Sequence, residues 1–241
     1  MAIHLVSYAN VRMYGSLARL GAQAAALPFD HVHLFRESDL RAVPEFWSRH
    51  CALIDSGARG AGYWVWKPFV IALALARAAP GDVIIFADAG CSLVGERAAR
   101  LLEYADLARA HTVLTQALEH PVRRWTKMDT VLAFDGVSYL DRPQLHGTVL
   151  AVCNTLAGVA FIDEWYAGVC NYHLVDDTPS AAPNDPEFIE HRHDQAILTL
   201  LAYRFGAYVI QDETYPVDAP DGGPILATRI RLAVLPEQSG L

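Results

Sequence analysis

"DVIIFADAG", Asp82 to Gly90, decides how the chain is read. Apolar residues run from Val83 to Ala87, meet a carboxylate at Asp88, and give way to Ala89 and Gly90, which have almost no side chain. An unbroken apolar run of strand length, preceded by the stop signal Pro80-Gly81, predicts a central parallel strand covered on both faces. In open parallel α/β sheets, ligands bind at the carboxyl ends of the strands. Asp88 stands at such an end. Asp-Ala-Gly is also an adequate turn by itself, with the acid as its cap. The two small residues tip the reading toward function, because a bare backbone beside a carboxylate leaves room for an ion or a sugar ring. A hard cation, Mg²⁺ or Mn²⁺, takes such an oxygen, with diphosphate oxygens completing its shell.

Working outward, "IHLVSYA" (Ile3 to Ala9) and "HVHLFRE" (His31 to Glu37) read as strands and "GSLARLGAQAAAL" as the helix between them. Ser38 and Asp39 offer a cap before Leu40. "WKPFVIALALARAA" reads as a helix with Pro68 in its first turn, where the missing N–H matters least. "ERAARLLEYADLARA" follows as a helix and "HTVLTQA" as a strand. This rhythm predicts an α/β fold with a mostly parallel sheet and helices on both faces. Further on, "GTVLAVCNTLAGVAFIDEWYAGVC" (147–170) reads as one long or broken helix and "VDDTPSAAPNDPEF" as a loop. "DQAILTLLAYRFG" reads as a helix capped by Asp194, striped by Ile197, Leu198, Leu201 and Phe205, and ended by Gly206. "AYVIQD" is a short strand, and the stretch from Tyr215 is a lid or a packed tail. With no repeat, low-complexity tract or linker, residues 1–241 are expected to form one domain. Its donor-binding half is about 1–117 and its acceptor half 118–241.

A chain of 241 residues, 53% hydrophobic and 19% charged, can bury a good core and is not disordered. A net charge of -8 argues against nucleic-acid binding, which wants a basic face. Cys51, Cys91, Cys153 and Cys170 form no CxxC pair, so reduced thiols in a cytoplasmic protein are expected. "MAIHLVSYAN" is no signal peptide, and "FVIALALA" is too short to span a bilayer. A peripheral role at the inner membrane face stays open, as does the oligomeric state.

No glycine follows the first strand until Gly15, so the phosphate-cradling loop of dinucleotide sites is missing. Any phosphate must then be held by metal and cations. Arg59 and Lys67, in "ARGAGYWVWKP", lie just upstream of the Asp88 strand, and only Lys67 and Lys127 are lysines. In "HRHDQ" (191–195), an extended chain would put His191 and His193 on one face, as metal ligands or as plain loop residues. Asp194 and Gln195 open a helix, whose first N–H groups favour anions. "RRWTKMD" (123–129) gathers three cations around an indole, either a phosphate or sugar patch or a solvated surface.

Together "GYWVWKPFVIALALARAAPGDVIIFADAG" and "FIEHRHDQAILTLLAYRFG" resemble the GT-A-type nucleotide-sugar-dependent glycosyltransferases, above all uncharacterised bacterial polysaccharide and lipooligosaccharide enzymes. The resemblance runs from Ile3 to about Ile210. It implies transfer of a sugar from a nucleoside diphosphate sugar to a glycan or glycolipid acceptor. In that family two acids of an Asp-x-Asp motif hold Mn²⁺ or Mg²⁺; here Gly90 replaces the second. Carried over, the resemblance puts Asp88 on the metal or donor ribose, beside Ala89 and Gly90; either metal binding is weaker, or His191, His193 or another group completes the shell, or the enzyme works without metal. Lys67 goes to the diphosphate, and Tyr8, Asn10 and Arg12 to the base. Asp194 and Gln195 go near the transferred sugar and acceptor: in an inverting enzyme Asp194 is the candidate base and His193 the second, and in a retaining one Gln195 or Asp194 lies beneath the anomeric carbon. The rival readings are a metal-dependent hydrolase using Asp88, His191, His193 and Asp194, and a binding module without turnover.

Overall fold

The structure, a computed structural model, describes residues 1–215 and 222–233. In chain order its elements begin with β1 (Ile3–Ala9), α1 (Tyr14–Ala24), β2 (His31–Arg36), α2 (Glu37–Arg41), α3 (Pro44–Asp55) and α4 (Trp66–Leu75). There follow β3 (Val83–Ala87), β4 (Ser92–Leu93), α5 (Ala98–His111), β5 (Val113–Pro121), α6 (Val122–Trp125) and α7 (Met128–Ala133). Last come β6 (Pro143–Leu145), β7 (Val149–Cys153), α8 (Leu156–Val169), α9 (His193–Phe205), β8 (Tyr208–Gln211) and β9 (Ile225–Leu226).

A seven-stranded sheet forms the centre. β1 lies between β2 and β3, parallel to both. β7 runs antiparallel to β3, and β5 antiparallel to β7. β6 continues the line of β7 along one edge of β5, and β8 lies parallel on the other. β1, β2, β3, β5 and β8 therefore point one way, which makes the sheet mostly parallel, and only β6 and β7 point back. β3 shows why its sequence had to be continuously apolar. Ile84 and Phe86 face a layer of α3, α4, α8 and α9, while Val83, Ile85 and Ala87 face α1 and α5.

The single helix expected over 147–170 is instead a strand and a helix, β7 and α8. β7 sits between β3 and β5 with all its residues buried, so apolar side chains fill both faces and no alternation marks it as a strand. The break falls at Asn154-Thr155. Asn154 Nδ2 donates to the carbonyls of Leu75, Ala78 and Ala79, and Thr155 Oγ1 accepts from Gly158 N at 3.0 Å as the cap of α8. Two other caps differ from expectation. α2 already includes Ser38 and Asp39, and Asp39 accepts from Arg36 N at 2.6 Å from the third helical position. α9 starts at His193 with Arg192 in the cap position, so the Asp194 carboxylate is released from capping. Gly206, at φ +69°, ends α9 as expected.

The described part of the final stretch is a packed tail. β9 pairs with β4, and Ile230 N and Thr228 Oγ1 both donate to Gly90 O. Ser16 Oγ donates to Ile230 O and accepts from Leu232 N. The rest of the stretch, 216–221 and 234–241, lies outside the described residues. The four cysteines are free thiols, with Cys91 and Cys153 buried. No helix among the described residues is long and apolar enough to cross a membrane.

Candidate active site

Four segments converge where β3 ends. Because β3 and β7 are antiparallel, the residue after β3 meets the residue before β7, and Asp88 N donates to Thr148 O at 3.0 Å. The first turns of α4 and α9 close on the same rim and bring in Lys67, Asp194 and Gln195. Lys67 is only 3% exposed. Its ammonium donates to Gly147 O at 2.7 Å and faces Asp88 Oδ1 at 3.3 Å and Asp194 Oδ2 at 3.5 Å. Asp88 is thus no turn cap. Its turn is closed by Cys91 N donating to the Asp88 carbonyl, while the part-exposed carboxylate turns to Lys67.

The electrostatics follow from two acids sharing one base in a dry place. Burial pulls the Lys67 ammonium down, but Asp194 and Asp88 more than offset it, and its pKa ends above the ordinary lysine value. Burial pushes the Asp194 carboxyl up to about 7, with Lys67 opposing and Asp88 adding to the rise. A proton on Asp194 is therefore exchangeable near neutrality, the condition for general acid–base work. His193 Nδ1 donates to the Val175 carbonyl at 2.7 Å, which fixes the tautomer. Nε2 is left with a lone pair and no hydrogen-bond partner among the described residues, and burial lowers the ring's pKa so that it stays neutral.

The wall beside this cluster is strained. Gly60, Ala61, Gly62, Tyr63 and Trp64 all have positive φ, a left-handed turn in which Ala61, Tyr63 and Trp64 carry side chains. Each such residue costs about 1–2 kcal/mol. His193 has φ +53° as well, and its ring packs 5.0 Å from Tyr63 and 5.5 Å from Trp64. Strain held by surrounding packing is concentrated at binding and catalytic sites. Trp64 thus lines the Lys67 cleft and Tyr63 the neighbouring one, whereas Trp66 belongs to the core against Tyr8.

Lys67, Asp88, His193, Asp194 and Gln195 line one cleft of 130 Å³, together with Arg59, Trp64, Gly147, Thr148 and Arg192. Other expected site residues are elsewhere or otherwise engaged. Tyr8 is 3% exposed and packed under Trp66, so it offers no face to a base. Asn10 accepts from Arg12 N and caps a short turn, and Arg12 is exposed outside this cleft. Ala89 is buried against Ala9 and Leu17. The space expected beside Gly90 is filled: a Cβ there would meet Ile230 O at 3.2 Å and Arg229 Cα at 3.3 Å. Gly90 makes room for the tail rather than for a ligand. Both nitrogens of His191 are taken, Nδ1 by Lys127 N and Nε2 by Leu174 O. The "RRWTKMD" patch anchors the acidic loop: Lys127 is buried on Asp176, Asp129 accepts from Ala181 N and Ala182 N, and Arg123 pairs with Asp141.

The donor set does not fit a resident divalent cation. Among the described residues no three His, Cys, Asp or Glu side chains are grouped to hold one. Asp88 supplies a single carboxylate, Asp194 is committed to Lys67, and His191 has no nitrogen to give. Sequence reasoning passed over Gly147, Thr148 and Arg192. The first two precede a strand that reads as helix, and nothing local marks the loop before it as part of the rim. Arg192 lies inside "HRHDQ", but its role depends on its neighbours Trp125 and Glu190.

Across Tyr63 lies a larger, open cleft of 570 Å³ lined by Leu53, Ser56, Tyr172, Asp176, Asp177 and Thr178. Asp177 stands 3.7 Å from His193 Nε2, so the histidine lies between the two clefts.

No protein-family model matches the chain, and no curated protein matches it in sequence. Solved structures do match. A glycosyltransferase involved in the glycosylation of the major capsid of PBCV-1 superposes with TM-score 0.53 at 11% identity, over 94% of both chains. Mouse xyloside xylosyltransferase 1 gives TM-score 0.47 at 11% identity, over 89% of this chain and 87% of that one. The galactosyltransferase LgtC, with donor and acceptor sugar analogues, gives 0.45 at 12% identity, over 87% and 74%. The chain has a GT-A-type fold, a mostly parallel central sheet with helices around it.

Proposed function

We propose that the protein is a glycosyltransferase that moves a sugar from a nucleoside diphosphate sugar to an acceptor hydroxyl, in bacterial glycan or glycoconjugate synthesis. One observation carries this beyond the fold: a buried ammonium held between two carboxylates at the carboxyl end of β3, on the floor of a cleft. Breaking an anomeric bond leaves negative charge on the diphosphate and positive charge on the sugar ring. A fixed cation beside fixed carboxylates answers both in a site shielded from water.

In this reading Lys67 faces the leaving diphosphate and Asp88 the donor sugar or ribose. Asp194, with its proton exchangeable near pH 7, takes the proton of the acceptor hydroxyl. The unpartnered Nε2 of His193, on the wall of the Lys67 cleft, is the second candidate. Gln195, at the same rim, hydrogen-bonds the transferred sugar. In a retaining reaction Gln195 or Asp194 would lie beneath the anomeric carbon. Tyr63 and Tyr172 offer apolar faces and Asp176 and Asp177 hydrogen-bond acceptors, a lining suited to a glycan or the sugar end of a glycolipid. The chain then works as one cytoplasmic unit, with residues of both halves lining each cleft. The hydrolase reading is the weaker one, because it needs His191 as a metal ligand and both nitrogens of that ring are occupied.

The test is a panel of nucleoside diphosphate sugars scored for nucleoside diphosphate release, with wild type and Asp88→Asn side by side. Release from one donor, lost in Asp88→Asn at unchanged melting temperature, is the expected result. Release unaffected by the substitution, or no binding of any donor, would overturn the proposal.

A further inference from the structure

We infer that the diphosphate is held by a metal-free cradle of Lys67, Arg59 and Arg192, and that Glu190 holds its place until the donor arrives. The inference rests on the donor being a nucleoside diphosphate sugar. Arg59 and Arg192 both line the cleft that contains Lys67 and Asp88. They come from separate segments, Arg59 from the start of the left-handed turn and Arg192 from the cap position of α9. Both are aimed at one carboxylate: Glu190 Oε1 lies 3.9 Å from Arg59 Nη2 and 3.4 Å from Arg192 Nη1.

That arrangement is poorly explained as structural support. The Glu190 side chain is 41% exposed, and exposed ion pairs add about 0–1 kcal/mol. Yet the two guanidiniums are brought to it at some expense. The Arg59 backbone leads into five consecutive left-handed residues, and the Arg192 guanidinium is fixed 4.1 Å over the Trp125 ring. Two planar forks converging on one anion match the bidentate geometry of phosphate oxygens. A diphosphate entering the cleft would displace Glu190, take both guanidiniums, and reach Lys67 on the floor.

Charge supports the same conclusion. Lys67 already stands 3.3 Å from Asp88 Oδ1, so a divalent cation on that acid would face its charge, and it cannot leave: it is enclosed and bound to Gly147 O. A cation held by Asp88 alone would have to share the space with that ammonium. Three positive side chains, Lys67 on the floor and the two guanidiniums at the rim, meet the need instead, and none of them depends on an ion from solution.

The experiment is calorimetric titration with inorganic pyrophosphate, UDP and GDP, in EDTA and again in Mn²⁺. The proteins are wild type, Arg59→Gln, Arg192→Gln and Glu190→Gln, each first checked for an unchanged melting temperature. One nucleoside diphosphate should bind in EDTA as tightly as in Mn²⁺, and affinity should fall as salt rises. Each arginine variant should weaken binding about tenfold, the low end for a charge-assisted hydrogen bond. Glu190→Gln should tighten it, because the competitor for the guanidiniums is gone. Nucleoside diphosphate binding that requires Mn²⁺, or that ignores both arginine substitutions, overturns the cradle while leaving the transferase reading in place. Pyrophosphate binding in EDTA that responds to the variants, with no preference for any nucleoside diphosphate, supports the cradle and overturns the sugar-donor reading.

Discussion

Asp194 has two neighbours of opposite effect, the Lys67 ammonium and the Asp88 carboxylate, in a pocket that excludes water. Burial keeps its pKa near 7 where an exposed aspartate would have lost its proton long before. If the ionised form is the base, kcat/KM rises through about pH 7 and levels above it. Asp194→Asn removes that rise along with most of the turnover. The stability sign runs opposite to that of a salt-bridged acid. The folded pKa exceeds the unfolded one, so the Asp194 contribution is full at acid pH and is lost as pH climbs through about 7. Asp194→Asn should therefore retain its melting temperature at pH 8 while losing activity, as read by calorimetry and donor turnover together. A large drop in melting temperature with activity kept would mark Asp194 as structural.

At the scale of elements, local chemistry explains what was legible. β1, β2, β3 and α4 were readable because apolar runs, Pro68 and the Pro80-Gly81 stop are local signals. β7 was not. Its five residues and the helix after it are both apolar, and only Asn154-Thr155 separates them. Thr155 is the residue that makes the separation, since its hydroxyl accepts from Gly158 N. Thr155→Ala should lower stability by about 1 kcal/mol, measured by denaturant midpoint, with the slope unchanged. No loss would mean that the Asn154 contacts alone set the boundary. In the site, Asp88, Lys67 and Asp194 could be nominated from their positions at element ends. Their mutual pairing could not, because it depends on which ends the sheet order brings together. Gly90 misled because small size looks alike whether it admits a ligand or a neighbouring segment, and that neighbour lies far along the chain.

The molecule as a whole is tuned to neutral pH by its histidines. Burial lowers His33, His146 and His193 from the ordinary imidazole value, takes His50 down to about 4 and His191 to about 3. Each stays neutral in the fold and gains a proton on unfolding, so stability is full above about pH 6.5 and is lost as pH falls. The melting temperature should drop between pH 7 and pH 5, and His50→Gln should blunt the drop. A flat profile in Asp194→Asn, where the opposing Asp194 contribution is absent, would show that these rings titrate freely when folded. The tail adds a constraint of a different kind. Ile230 and Leu232 grip Ser16 from the far end of the chain, across a separation of more than two hundred residues. Contacts that distant are among the slowest to form. On emerging from a ribosome, every strand of the main sheet, β8 included, precedes this clasp, and the Gly90 carbonyl waits for Thr228 and Ile230. Finishing the rim of β3 is thus a late event in maturation.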